Sequence, residues 1–368
     1  MNATNLARQS CRTSFRYKRA IAAFALLVVA AVTVPVAVAQ DGRPVAPPPV
    51  SSTTHRELPL RDDAGILAAG AKPEKVLEEA AGEGPAWDPK LGLLFSGPDG
   101  DIHRLDRQGK LHVFRSKANS NGLLFDGDGR LLICEQGQRR ITRLNRRGRL
   151  EVLTAAFNEQ PYNTPNDIAI DSKGRIYFSD PRYGDRSDMR LVDDEGRQVE
   201  GVYRIDPNKQ VSRIITHEVD RPNGVLVTPD DRYLFVADNN NNTPGGARKL
   251  WRFDLTAEGN VDPATRTLIY DWGSGRGPDG MAMDERGRLY VAAGLTRANP
   301  PHETADKPGG VYVFGPDGKL LLVILIPVDE VTNCTFGGED LKTLYVTAGG
   351  TLWQVRTRAA GKLPWPRP

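Results

Sequence analysis

Residues 277–293 read GPDGMAMDERGRLYVAA. Asp279 stands between proline and glycine, a short apolar run follows, the polar turn DERGR interrupts it, and a second apolar run rich in β-formers closes the unit. Apolar runs on either side of an Asp/Gly turn are a hairpin signal. Taken once, Pro, Asp and Gly are ordinary turn residues. The unit recurs along the chain, and recurrence at a regular spacing decides the architecture before any single segment does.

Six copies begin with a polar residue, run apolar, turn on Asp, Gly or Lys about five residues later, and re-enter a β-rich run. They are EGPAWDPKLGLLFS from Glu83, NGLLFDGDGRLLIC from Asn121, NDIAIDSKGRIYFS from Asn166, NGVLVTPDDRYLFVA from Asn223, DGMAMDERGRLYVAA from Asp279 and NCTFGGEDLKTLYVTA from Asn333. After each comes a further β-like run: IHRLDRQGK, ITRLNRRGR, VYRIDPNKQ, LWRFDLTAEG, VYVFGPDGK and TLWQV. Long helical periodicity is absent. Six copies at about 47 residues each match the size of four-stranded propeller blades. The expected fold is therefore all-β, a six-bladed β-propeller over residues 74–357. TLWQV is too short to complete the last blade, so EKVLEEA, from Glu74, is expected to supply a strand that closes the ring and removes its open edge.

The two ends differ from this body. Residues 1–39 carry Arg8, Arg12, Arg16, Lys18 and Arg19 ahead of a long apolar run ending in Ala37-Val38-Ala39, the pattern of a cleaved export signal; uncleaved, the run is long enough for a membrane anchor. The segment contains no acid, so without it the formal charge of +3 becomes −2. The chain's basicity belongs to that segment, and with no basic patch elsewhere nucleic-acid binding is excluded. An exported protein, periplasmic or secreted, is expected, touching a membrane only if the segment stays in place. Residues 40–73 read as a Pro-rich flexible linker, and 358–368 as a Pro-rich tail that cannot continue a sheet. Cys134 and Cys334, the cysteines beyond the signal, form neither a disulfide framework nor a zinc motif.

In a propeller the innermost strands line a central channel, so the six leading residues would converge: Glu83, Asn121, Asn166, Asn223, Asp279 and Asn333. All bear oxygen and none is His or Cys. Such a ring suits a hard cation, Ca²⁺ best of all. Two acids brought together among carboxamides repel unless a cation sits between them or one takes a proton. GSGRG, residues 273–277, lacks the ending of a phosphate-binding loop and reads as a turn, and no serine-hydrolase elbow is present.

With EGPAW, NTPNDIAID, SDPRYG, RPNGVLVTPD and GPDGMAMD in this order and spacing, residues 74–357 resemble the SMP-30/gluconolactonase/LRE-like family of six-bladed propellers. The resemblance implies a hydrolase of lactones, sugar lactones first, with relatives acting on other esters or organophosphates. It also implies a catalytic divalent cation, usually Ca²⁺ with Zn²⁺, Mn²⁺ or Mg²⁺ as alternatives, held by one Glu, two Asn and one Asp. Position by position those ligands would be Glu83, Asn166, Asn223 and Asp279.

Within that frame Asp279 is the candidate catalytic carboxylate, able to activate water beside a metal without a histidine. Asn121 and Asn333, outside the four-ligand set, are candidates for contact with substrate. So are Arg182 and Tyr183, which open the long charged insertion of residues 181–201, read as a loop at the channel mouth. The partner implied is a small lactone, with no protein partner. The rival reading is a propeller that binds without catalysis, because fold alone does not give function.

Overall fold

The polar turn that interrupts each copy is a built device. In the computed structural model, which describes residues 58–363, Asp284 Oδ1 accepts the backbone N–H groups of Arg286 and Arg288 while Arg288 Nε donates to Oδ2. The D-x-x-G-R turns at Asp126 and Asp171 are wired the same way. In two copies the pattern extends to R-x-Y, and the hydroxyls of Tyr177 and Tyr290 donate to the same aspartates at 3.1 Å. One carboxylate thus satisfies two turn amides, an arginine and a tyrosine, which pins the hairpin register.

These hairpins extend into six antiparallel sheets of four strands. Blade one runs Glu83–Asp88, Gly92–Ser96, Ile102–Leu105 and Leu111–Arg115 from the axis outward. The inner strands of blades two to six are Leu123–Phe125, Ile168–Ile170, Pro222–Val227, Pro278–Met283 and Val331–Gly337. Glu74–Ala81 is the outermost strand of blade six, paired antiparallel to Gly350–Arg356 with Glu74 opposite Gln354 and Ala81 opposite Gly350. The N-terminal closure expected from the sequence is present. Among the described residues the sole helical element is the short turn Gln136–Gln138.

The core lies between blades. Ile168, Ile176, Phe178 and Tyr203 of blade three pack on Leu132, Cys134 and Ile141 of blade two; Tyr290, Val311 and Val313 of blade five pack on Phe336, Leu344 and Val346 of blade six. Cys134 and Cys334 are free, buried thiols.

Composition misled at the N-terminal margin. Of the stretch read as linker, residues 58–73 lie on the propeller: Ile66 is fully buried between blades five and six, Arg358 N donates to Ile66 O, and Val323 N donates to Pro59 O. Scattered apolar residues such as Leu58 and Ile66 find pockets on a surface that a local composition average does not see. The tail is likewise bound as far as residue 363, with Glu285 N donating to Ala360 O and Lys362 N to Met283 O. The signal segment and residues 40–57 lie outside the described residues.

Candidate functional site

The inner strands approach one another at their entrances so closely that little besides glycine fits there. A Cβ on Gly224 would stand 2.1 Å from Asp279 O, and one on Gly280 would stand 1.9 Å from the Asn333 side chain. That is the physical reason a glycine follows Asn223 and Asp279. The neighbour relations run around the axis. Gly84 abuts Asn121, and Gly122 N donates to Asn166 O at 2.6 Å. Asp167 Oδ2 accepts from Val225 N at 3.0 Å, Gly224 abuts Asp279, and Gly280 abuts Asn333. Asn333 Nδ2 then donates to Glu83 Oε2 at 3.0 Å, which completes the circuit. All six predicted residues thus stand around one channel.

Three of the donor side chains are held at one end. Glu83 Oε2 accepts the N–H of Gly84 at 2.7 Å besides the Asn333 amide. Asn223 Nδ2 donates to Tyr183 Oη at 3.0 Å, and Asn121 Nδ2 to Gln136 Oε1 at 3.5 Å. The other ends, Asn223 Oδ1 and Asn121 Oδ1, are buried acceptors without a donor. An unmet buried acceptor costs about 1–3 kcal/mol, so both oxygens are open to a partner that enters the channel. The donor set fits a hard cation through oxygen alone. It contains no cluster of three or more His, Cys, Asp or Glu, and none is present elsewhere among the described residues.

Electrostatics agree with that geometry. Burial raises the Glu83 carboxyl above its usual range, and burial followed by the charge of Glu83 raises Asp279 well above its own. Both stay raised although the charge of Arg276 lowers each of them, so two carboxyls so placed call for a further counter-charge before both ionise. Asp167, one residue beyond Asn166, is pushed up to about 7 by burial.

Three features escaped the sequence reading. Arg276, inside the GSGRG stretch read as a plain turn, is buried with Nη2 3.5 Å from Asp279 Oδ2 and Nη1 2.9 Å from Glu330 Oε1. It stands three residues before the ring acid, a spacing that offered a signal. Asp167 occupies the place glycine holds in other copies, also a legible departure. Glu303 reaches Arg276 at 3.6 Å from a distant loop, and nothing in sequence announces it.

The insertion after blade three divides its two candidates. Tyr183 reaches the ring through Asn223, whereas the Arg182 guanidinium turns back into its own loop, bonding Asp185 O at 2.7 Å and Asp188 at 2.9 Å. The expectation that Arg182 contacts substrate is corrected on that account. A guanidinium satisfied by loop carboxylate and carbonyl is not presented to the channel.

The model of the SMP-30/Gluconolactonase/LRE-like region matches residues 81–350. A gluconolactonase of Zymomonas mobilis is 30% identical over 309 residues, spanning 76% of this chain and 79% of that one. A 6-deoxy-6-sulfogluconolactonase of Pseudomonas putida is 28% identical over 279 residues, 73% and 82% of the two chains. The solved structure of a gluconolactonase from Xanthomonas campestris aligns with a TM-score of 0.66 at 28% identity, covering 81% of this chain and 94% of that one. The family match takes in every ring position from Glu83 to Asn333, and the chain belongs to the SMP-30/gluconolactonase/LRE-like family.

Proposed function

We propose that this protein is a divalent-cation-dependent hydrolase that opens a lactone ring, with sugar lactones as the substrate class and Ca²⁺ as the cation. The observation that carries the reading is the convergence of the part-buried carboxyl of Glu83 and the buried carboxyl of Asp279 with the unpartnered oxygen of Asn223. The gluconolactonases of Zymomonas mobilis and Xanthomonas campestris support the reaction class.

Glu83, Asn166, Asn223 and Asp279 would hold the cation. When bound, it supplies polarisation of the lactone carbonyl and a counter-charge for the oxyanion. Asp279 takes the proton of the attacking water, with Arg276 steadying one of its oxygens at 3.5 Å. Asn121 Oδ1 accepts from a substrate hydroxyl. Asn333 supports Glu83 through its amide and so acts behind the ligand rather than on substrate. Export of the enzyme rests on residues 1–39 alone.

The test is hydrolysis of glucono-1,5-lactone, other aldonolactones and a paraoxon-type ester by the mature chain, with EDTA and with added Ca²⁺. Lactone opening that EDTA abolishes and Ca²⁺ restores is expected, and Asp279→Asn should lower kcat by about 10²–10⁴-fold with the fold intact. A folded protein that opens none of the panel with any divalent ion sinks the proposal in favour of a binding scaffold.

A further inference from the structure

Tyr183 belongs to blade three but acts on blade four. From the connection after Ile176–Asp180 its hydroxyl makes two hydrogen bonds, donating to the backbone carbonyl of Asn239 at 3.2 Å and accepting from Asn223 Nδ2 at 3.0 Å. A carbonyl can only accept, so the one hydroxyl hydrogen is committed to Asn239 and a lone pair faces Asn223. Only the NH₂ end of a carboxamide can use that lone pair. Oδ1 of Asn223 is therefore turned the other way, where it is buried without a donor. The two ends of a carboxamide are nearly equal in size, so hydrogen bonding rather than shape chooses between them.

The tyrosine is itself held. The guanidinium of Arg221 lies 5.3 Å from its ring centroid. Arg221 pairs at 2.8 Å with Glu200, a buried carboxylate that also accepts the backbone N–H of Arg182 at 2.6 Å. Residues 182, 183 and 200 of one connection are thus locked to Arg221 and Asn223 of the next blade.

We propose that Tyr183 is a positioning residue: it fixes the Asn223 carboxamide with Oδ1 toward the channel, so that the loop after blade three's second strand sets the affinity of the ring for a divalent cation. The inference rests on the cation reading given above, and it moves Tyr183 from substrate contact to ligand orientation. Freed from the tyrosine, the carboxamide would present its NH₂ end to the cation part of the time, and an NH₂ group repels a cation.

The experiment is calorimetric titration of Ca²⁺ into the mature protein and into Tyr183→Phe, Asn223→Asp and the double variant, with circular dichroism as the check on folding. Tyr183→Phe should weaken Ca²⁺ binding by at least about tenfold, as outer partners of metal ligands do. In the Asn223→Asp background, where both ends of the side chain are oxygen, the same change should cost less than about threefold. Equal affinity in wild type and Tyr183→Phe overturns the inference. So does an equal loss in both backgrounds, which would mean that the ring only packs the loop, and so does a raised KM with unchanged Ca²⁺ affinity, which would restore the substrate contact. Wild-type protein that takes up neither Ca²⁺, Mn²⁺ nor Zn²⁺ overturns the cation reading itself, and this inference with it, before any variant is made.

Discussion

Glu151 and Glu83 show how far placement governs a carboxylate. Glu151, on the outer strand of blade two, bonds Lys209 Nζ of blade three at 2.8 Å and Arg143 Nη2 at 2.7 Å. The Lys209 bond, then the Arg143 bond, lower its pKa to about 2. A depressed acid contributes stability above its unfolded pKa, and the contribution disappears as pH falls toward the folded value. Glu151→Gln should therefore cost up to about 1 kcal/mol at pH 7, the pair being solvent-exposed, and the gap in urea midpoints should close as pH falls from about 4.5 toward 2. A gap that stays constant with pH would show that charge is not what the residue contributes. Glu83 moves the opposite way because burial outweighs its two hydrogen bonds. The six ring positions were legible one by one, since each opens a repeated motif. Glu303 was not, because its meaning depends on Arg276 standing beside Asp279 in the folded protein and not on any local pattern, and Arg276 was legible only through its spacing from Asp279.

At the scale of the element, the D-x-x-G-R-x-Y turn does the work of a cap. Asp284 is buried together with Arg288, and its removal would strand that guanidinium, two turn amides and the Tyr290 hydroxyl. Breaking a buried pair from one side costs about 3–5 kcal/mol, and Asp284→Ala should lower stability by that order in chemical denaturation. Asp284→Asn, which keeps an acceptor for the turn amides, should cost less. If the two variants are equally stable, the turn amides contribute nothing measurable and the account fails. Hairpins and turns were readable from sequence because their chemistry is confined to five or seven consecutive residues. The 181–201 insertion was readable as a loop, but its division of labour was not. Arg182 and Tyr183 are neighbours in the chain; Glu200 at the far end of the connection, with Arg221 and Asn239 of the next blade, turns the tyrosine inward, while the arginine stays on its own loop.

For the whole molecule the decisive bond is the one between its ends. Strand Glu74–Ala81 covers Gly350–Arg356, and Ile66 fills the core beside it. Deleting residues 1–81 leaves blade six with three strands and an exposed edge, a template for association. The truncated chain should lose its cooperative thermal transition and elute as aggregate, whereas a chain starting at residue 58 should melt as one starting at residue 40 does. A monomeric, cooperatively melting 82–368 chain would show that closure is dispensable. Sequence alone determined the blade count, the hairpins, the closing strand and the identity of the six ring residues, because each is encoded by nearby residues and repeated. Tertiary structure alone decided which oxygens of the ring are tied and which are left without a donor, that residues 58–73 belong to the body, and that the Tyr183 hydroxyl meets the Asn223 carboxamide. Those outcomes depend on groups from different blades meeting at hydrogen-bonding distance, and no one-dimensional pattern specifies such a meeting.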